Sequence, residues 1–555
     1  MLKKSYISLI ITSLLFTQIS GTSVFAQVQT PDPFTLNTTL SAQVVPVVPP
    51  AASKLNPPLP NEIEKYQEKG YGEWTLEKSS GYTKRTDILP ANVKAPTKSS
   101  PLAHFFTMSD IHIVDVQATT QPLYFGETPV PGMQSAYSGS MLYSTQVLDA
   151  AVRSVNMLNK KSKIDFGLML GDASNNSQSN EVNMYLDVLT GRMVHPNSDT
   201  STMYKTDYMQ PFKAEGLDVP WYQVLGNHDH FWEGSYASSD KVKAATTSDT
   251  LMRFYKDEST KKTEGEEVYG GTIDPSTPYG KIVMSGKSNG DDASSHKVTP
   301  NIERSVLSAK DFVNIFPKNH GLKSDTSVDP LACYVVEPES NVPVRVIVLD
   351  NTAPQDTTFI DPTAEKHVMT TAAMAFLSKE KLAWLEKQMA QAQADNKLVV
   401  VATHIPTGMK GLWSSTSEVT EKQFIDTLLK YPNMSLLLAG HRHLNTVIPY
   451  KAETGDNGFW QVETSSLRDF PQQFKMFDIK INDNGTISIL ANSVDPVMEK
   501  GSIMEKSRSY AIAASQIFPE PPSIIMPAEK SRVENVELYK KLSPTMVKVL
   551  SKFQK

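Results

Sequence analysis

Five apolar runs in this chain each break off into a polar cluster, and that repeated pattern narrows the possible folds more than any other feature. "HFFTMSDIH" ends on Asp110 and His112, "FGLMLGD" on Asp172, and "YQVLGNHD" on Asn227, His228 and Asp229. "VVVATH" ends on His404, and "LLLAGHRH" on His441 and His443. Short continuous apolar runs rich in β-branched and aromatic residues read as buried strands. Between them lie helix-like segments, "YSTQVLDAAVRSVNMLNKK", residues 181–190, "LSKEKLAWLEKQMAQAQA" and "EKQFIDTLLKYP". Strands alternating with helices predict an α/β core, its strands covered on both faces. The later segments "FWQVETSS", "FKMFDIKI" and "GTISILAN" alternate apolar and polar residues around the turn Asn484-Gly485, and are expected as antiparallel strands of a second sheet.

The rest of the chain divides around this core. Lys3 and Lys4, an apolar stretch over residues 7–16 and the small-residue pattern Val24-Phe25-Ala26 predict a signal peptide at residues 1–26. Its apolar stretch is short of the ~20 residues that span a bilayer, and no later segment approaches that length, so no membrane span is expected after cleavage. The expected location is secreted or periplasmic, by bacterial export. Residues 27–95, with "VVPVVPPAASKLNPPLP", read as a proline-rich arm, a tether or a wrapping segment. A catalytic domain is expected over residues 96–500, interrupted by inserts at about 114–142 and 230–340. The second insert holds the flexible-looking "SGKSNGDDASSHK", and residues 501–555 are expected as a helical C-terminal extension. A net charge of −6 offers no cationic footprint for phosphate backbones, so stable nucleic-acid binding is not expected. Cys333 is the only cysteine, which excludes an intrachain disulfide.

A single Asp or His at a strand end is usually a cap or a turn former. Here five of the 11 histidines, His112, His228, His404, His441 and His443, fall at such ends. In an open α/β sheet ligands bind beyond the carboxyl ends of the strands, so clusters far apart in sequence are expected to converge there. Carboxylate, imidazole and amide oxygen without thiolate suit Mn, Fe or Zn. One catalytic zinc takes about three protein ligands, so this set exceeds the demand of one ion. Two ions roughly 3.5 to 4 Å apart can clamp the attacking and leaving oxygens of an in-line displacement, the chemistry of phosphoester hydrolysis. An alkoxide leaving group also needs a proton, and an imidazole titrating near neutrality can give it.

Asp110-Ile111-His112, Gly171-Asp172, Gly226-Asn227-His228-Asp229, His404 and Gly440-His441-Arg442-His443, in that order, resemble the signature of the calcineurin-like metallophosphoesterases. The resemblance covers residues 100–495 apart from the two inserts, and the inserts with "ETSSLRDFPQQF" are similar to a bacterial secreted subgroup. It implies a four-layer α/β/β/α sandwich of two mixed sheets flanked by helices. It also implies two divalent metal ions activating a bridging hydroxide for in-line attack on phosphorus. Asp110, His112 and His443 would hold one ion, Asn227, His404 and His441 the other, and Asp172 would bridge them. His228 would assist the leaving group, with Asp229 orienting its imidazole. The implied substrates are phosphorylated small molecules, nucleotides or lipids.

There are departures from the family pattern. Asn175 stands where a second Asp often follows Gly171-Asp172, and because it is not tyrosine the tyrosinate-ligated centre of purple acid phosphatases is not implied. Asp229 stands where secreted 5'-nucleotidases usually carry Glu. Asp115 is expected to cap its loop, and His230 is either a pocket residue or a plain loop histidine. The alternative function is a non-enzymatic exported metal-binding or surface interaction protein with a structural metal site, which leaves the pair His228 and Asp229 without a task. A single-metal zinc peptidase would need an H-E-x-x-H helix, which the chain lacks.

Overall fold

The apolar runs assemble into two mixed β-sheets in the computed structural model, which describes residues 38–127, 129, 133–134, 136–198, 206–249, 251, 253–255, 267–283, 286–287, 298–316, 332–339, 342–354, 372–518 and 534–554. The expected signal peptide, residues 1–26, lies outside the described residues. So does "SGKSNGDDASSHK", except for Gly286 and Lys287.

The strands that build the sheets are, in chain order, β1 (Ala42–Pro46), β2 (Trp74–Lys78), β3 (Thr83–Arg85), β4 (Ser99–Met108), β5 (Phe166–Met169), β6 (Trp221–Gln223), β7 (Tyr334–Val336) and β8 (Val344–Val348). They continue as β9 (Leu398–Ala402), β10 (Met434–Ala439), β11 (Thr446–Lys451), β12 (Gly458–Glu463), β13 (Phe474–Asn482), β14 (Thr486–Val494) and β15 (Asn535–Lys541). One sheet has the order β3-β15-β14-β13-β4-β5-β6, and the other β7-β8-β9-β10-β12-β11. β4, β5 and β6 are parallel, as are β8, β9, β10 and β12.

Period-two alternation explains how the second sheet is covered on both faces. Val344, Val346 and Val348 join the core shared with the first sheet. Ile347 and Leu349 turn the other way, onto helices α3 (Lys379–Ala394) and α4 (Glu421–Leu429) through Leu385, Met389, Phe424 and Leu428. Ser378 caps α3 by accepting Lys381 N–H, and Thr420 with Gln423 forms a reciprocal box at the start of α4. Earlier in the chain, α1 (Ser144–Lys161) and α2 (Ser179–Leu189) bury their apolar stripes in the core shared by the sheets. Phe105 of β4 stacks between Phe166 and Phe477, both at 4.8 Å between centroids.

Two expectations change. The segment "FWQVETSS" is not part of an antiparallel second sheet with "FKMFDIKI" and "GTISILAN". β12 runs parallel to β10, while β13 and β14 join β4 in the first sheet. Every residue of β12 is buried, so its pairing is set by the neighbours that cover it rather than by a solvent-facing alternation. The C-terminal extension is helical over α5 (Ile503–Ile517) and α6 (Pro544–Leu550), but β15 between them is a strand inside the first sheet, flanked by β14 and β3. Its Glu and Lys content reads as helix, whereas Val536, Leu538 and Lys540 lie buried at alternate positions. Trp460 Nε1 of β12 donates to Tyr539 O at 3.1 Å, and Lys540 Nζ to Gly458 O at 2.6 Å, so β15 also ties the two sheets together.

The proline-rich arm pairs β1 with β2, and β3 runs parallel to β15 at the sheet edge. Thr39 Oγ1 donates to Ser493 O at 2.8 Å. No helix among the described residues is long and apolar enough to cross a membrane.

Leu538 has 0% exposure. Leu538→Ala is expected to lower unfolding free energy by about 2–5 kcal/mol, read as a shifted urea midpoint at constant slope. A detached extension would give a change within about 0.5 kcal/mol.

Candidate metal centre

The polar clusters meet where the carboxyl ends of β4, β5 and β6 face those of β9 and β10. The loops after β4 and β5 are laced together by backbone bonds. Asp110 N–H donates to Gly171 O at 3.1 Å, Ile111 and His112 N–H to Asp172 O at 3.0 and 2.9 Å, and Ile113 N–H to Ala173 O at 2.9 Å. Asp110, His112 and Asp172 are held at φ of 51°, 48° and 55°, and His441 and His443 at 73° and 58°. This left-handed region costs a non-glycine residue about 1–3 kcal/mol, and it persists only where surrounding bonds over-determine it. Gly226 and Gly440 serve close approach. A Cβ on Gly226 would fall on the Asp172 carboxyl group, and one on Gly440 would lie 2.6 Å from Asp110 Oδ2.

All seven expected ligands are brought together by this arrangement. Ligand atoms of Asp110, His112 and His443 lie within 4.8 Å of one another, and so do those of Asp172, His404 and His441. Asp172 reaches both groups, with Oδ2 3.2 Å from His404 Nε2 and 3.7 Å from His112 Nε2. Asn227 Nδ2 donates to Gly234 O at 3.0 Å, which turns Oδ1 to 3.1 Å from both His404 Nε2 and His441 Nδ1.

The donor chemistry fits metal ions. His404 Nδ1 donates to Leu170 O at 2.7 Å, and His443 Nδ1 lies 2.7 Å from Asp469 Oδ2, so both Nε2 atoms point inward as acceptors. His404 Nε2 then faces the oxygens of Asp172 and Asn227, with His441 Nδ1 at 3.3 Å, while His443 Nε2 faces Asp110 Oδ1 at 3.4 Å and His112 Nε2 at 3.1 Å. Acceptors aimed at one another are stabilised only by a proton or a cation between them. Without a cation the cluster draws protons. Burial opposes charge on His404, but Asp172 and then Asp110 raise it to about 9. Burial likewise opposes charge on His443, which Asp110 and Asp469 raise to about 10. Burial and the neighbouring His404 push His441 down to about 3.

His228 lies within the same 4.8 Å of His112 and Asp172, but its hydrogen bonding differs. Its Nδ1 lies 2.7 Å from Asn175 O, a carbonyl that can only accept, so Nδ1 carries the hydrogen and Nε2 is the titrating atom. Burial lowers its pKa, with Asp172 acting in opposition. His228 N–H donates to Asp172 Oδ1 at 2.9 Å, tying the two loops together.

The expected role of Asp229 is corrected by its contacts. It does not orient His228, because both of its oxygens are taken by backbone amides. Oδ2 accepts Gly226 N–H at 2.8 Å and Asp172 N–H at 3.0 Å, while Oδ1 accepts Ala173 N–H at 2.7 Å. Asp229 therefore clamps the loop that presents Asp172 to the loop that presents Asn227. Asp115 accepts Gln117 N–H at 3.1 Å and caps its own loop. His230 is buried, with Nε2 2.9 Å from Thr352 Oγ1, and does not line the cavity over the site.

Three contributors were not read from the sequence. Asp469 orients His443, Asn175 orients His228 through its carbonyl, and Arg468 Nη1 donates to Asn175 Oδ1 at 2.8 Å. The only signal for Asp469 and Arg468 was their place in "ETSSLRDFPQQF", and Asn175 was read as a departure from a motif.

A family model described as calcineurin-like phosphoesterase matches residues 103–445. Among solved structures the chain is similar to a dimetal phosphatase from Danio rerio, at 10% identity and a TM-score of 0.35, over 72% of this chain and 97% of that one. It is also similar to a 5'-nucleotidase from Candida albicans, at 9% identity and a TM-score of 0.25, over 77% of this chain and 60% of that one. No curated protein matches the chain.

The clamp makes a specific prediction. Asp229→Ala is expected to lose retained metal, roughly 10- to 100-fold in affinity, because Asp172 is no longer anchored. Metal content after dialysis is the measurement. A residue acting through the His228 imidazole would instead leave metal content unchanged and lower turnover alone.

Proposed function

This chain belongs to the calcineurin-like phosphoesterase family and is a phosphoric ester hydrolase, and on that premise we propose that it is an exported enzyme working with two divalent cations. Asp110, His112 and His443 would hold one cation, Asn227, His404 and His441 the other, with Asp172 shared between them. The convergence of inward-facing acceptors is the observation that carries this reading. Mn, Fe or Zn suits a set of imidazole, carboxylate and amide without thiolate. When bound, such ions supply positive charge to the phosphoryl oxygens and lower the pKa of an attacking water. The layer arrangement we infer is the α/β/β/α sandwich.

The chain's own residues account for the rest of the reaction. His404 and His443 are locked in orientation by Leu170 O and Asp469, and Asp229 keeps Asp172 in register with Asn227. His228 keeps its hydrogen on Nδ1 and exchanges a proton at Nε2. An arriving anionic phosphoryl group favours the protonated imidazole, offsetting the effect of burial. Hydrolysis joins the oxygen of water to phosphorus and breaks the bond to the alcohol oxygen, which takes the proton from His228 Nε2. Export is supported by Lys3, Lys4, the apolar residues 7–16 and the pattern ending at Ala26. A mature N-terminus at Gln27, read by sequencing the exported protein, tests it.

Metal analysis of the purified protein, then hydrolysis of p-nitrophenyl phosphate against bis-p-nitrophenyl phosphate with Mn, tests the chemistry. Asp172→Ala is expected to remove metal and activity together. His228→Ala is expected to retain the metal and lose turnover by about 10² or more. A His228→Ala protein that emptied of metal would overturn the division of roles.

A further inference from the structure

The cavity above the metal centre is much larger than a phosphoryl group requires. It encloses about 1090 Å³ and has His112, Asp172, Asn227, His228, His441 and His443 among its lining. Small-molecule sites commonly run from about 300 to 1,000 Å³, so this one has room for a large substituent beyond the reacting phosphorus.

The rest of the lining says what that substituent is. Tyr124, Phe125, Trp232, Tyr236 and Phe470 contribute an aromatic wall. Val44 and Val45 of β1 extend it with aliphatic surface, which makes the proline-rich arm part of the cavity. Cations are few. Among the described lining residues Lys410 and Arg442 are the lysine and arginine, and the Arg442 guanidinium is engaged by Glu463, with Nε donating to Oε2 at 2.7 Å. Glu233 and Glu534 line the same space. A second or third phosphate needs further cationic or N–H partners, as bidentate arginine supplies elsewhere. This wall offers aromatic rings, carboxyl groups and neutral amides instead, and the amide N–H groups of Asn445 and Gln473 are already engaged by Glu534 and Asp495.

Resting on the phosphoesterase reading of the site, we propose that the substrate is a phosphoester bearing a single phosphoryl group and an extended apolar alcohol, with an alkyl or acyl chain lying along this wall. The chain-binding surface is the aromatic group together with Val44 and Val45, and the phosphoryl group lies at the metal centre. Burial of apolar surface drives the preference. Each methylene taken out of water is worth about a three- to fourfold gain in kcat/KM until the cavity is filled.

The test uses the metal-loaded full-length protein and two homologous series, n-alkyl phosphates and n-alkyl p-nitrophenyl phosphodiesters, from methyl to octyl and below their micelle concentrations. In whichever ester class is turned over, kcat/KM is expected to rise at least about 10² from methyl to octyl, with adenosine triphosphate well below the octyl ester. Val45→Asp and Leu412→Asp, two half-buried lining positions outside the metal centre, are expected to flatten the series while the methyl ester stays within about twofold of wild type. Melting curves confirm that both variants fold. A flat series with methyl-ester activity intact overturns the proposal and leaves the two-cation reading standing. Faster turnover of adenosine triphosphate than of the octyl ester also overturns it. Absence of turnover for every ester by metal-loaded protein would sink the two-cation reading, and this proposal with it.

Discussion

Acceptor atoms held facing one another, with nothing of their own to place between them, are the constraint on which the rest of this molecule turns. Two buried carboxylates and a ring of imidazoles need protons or cations among them, since buried charge without a partner is costly. Their loops are not free to relax. The loops after β4 and β5 exchange five backbone bonds, and five of the site residues are pinned in the left-handed region. The carboxylate of Asp229 adds amide bonds from Gly226, Asp172 and Ala173. Rigidity of this kind makes the cluster a receptor for cations, because the groups lower their energy only by taking up protons or by binding a cation between them.

Segments packed beside the site supply that rigidity. The segment from Ser466 to Gln473 carries Asp469 to His443 and Arg468 to Asn175, and it is held from behind by α5. Arg508, with 0% exposure, donates from Nη1 to Asp495 Oδ1 at 2.8 Å and from Nη2 to Gln472 O at 3.2 Å. On the other sheet, Asn351 Nδ2 donates to Ile405 O at 2.7 Å and Asn351 Oδ1 accepts Ile405 N–H at 3.2 Å, which steadies the loop beside His404. Residues outside the set of metal ligands therefore set the angle of two imidazoles, and the sequence after α5 returns as β15 to lock one sheet against the other.

Much of this was legible because strand ends are marked locally. An apolar run stopping at Gly-Asp, Gly-Asn-His-Asp or Gly-His-Arg-His gives the element, its end and the chemistry of its tip in one stretch, so residues that the fold brings together could be named from the sequence as candidates. Asp229 was found but misassigned. A carboxylate beside a histidine in sequence suggests a partner for that imidazole, yet its oxygens are aimed at the backbone of a loop more than fifty residues away. Asn175 looked like a weakened motif and is instead the carbonyl on which His228 rests. Asp469 and Arg468 had no local mark, because their partners are brought to them only by the fold.

What the sequence determined by itself was the alternating strands and helices, the polar strand tips and the ligand types they carry, because each of these depends on residues within a few positions of one another. What only the tertiary structure decided was the sharing of strands between sheets, the placement of β15, the clamp made by Asp229 and the apolar wall over the metal centre. Those depend on which surfaces cover one another, and a fully buried strand or an engaged carboxylate carries no record of its distant partner in its own neighbourhood.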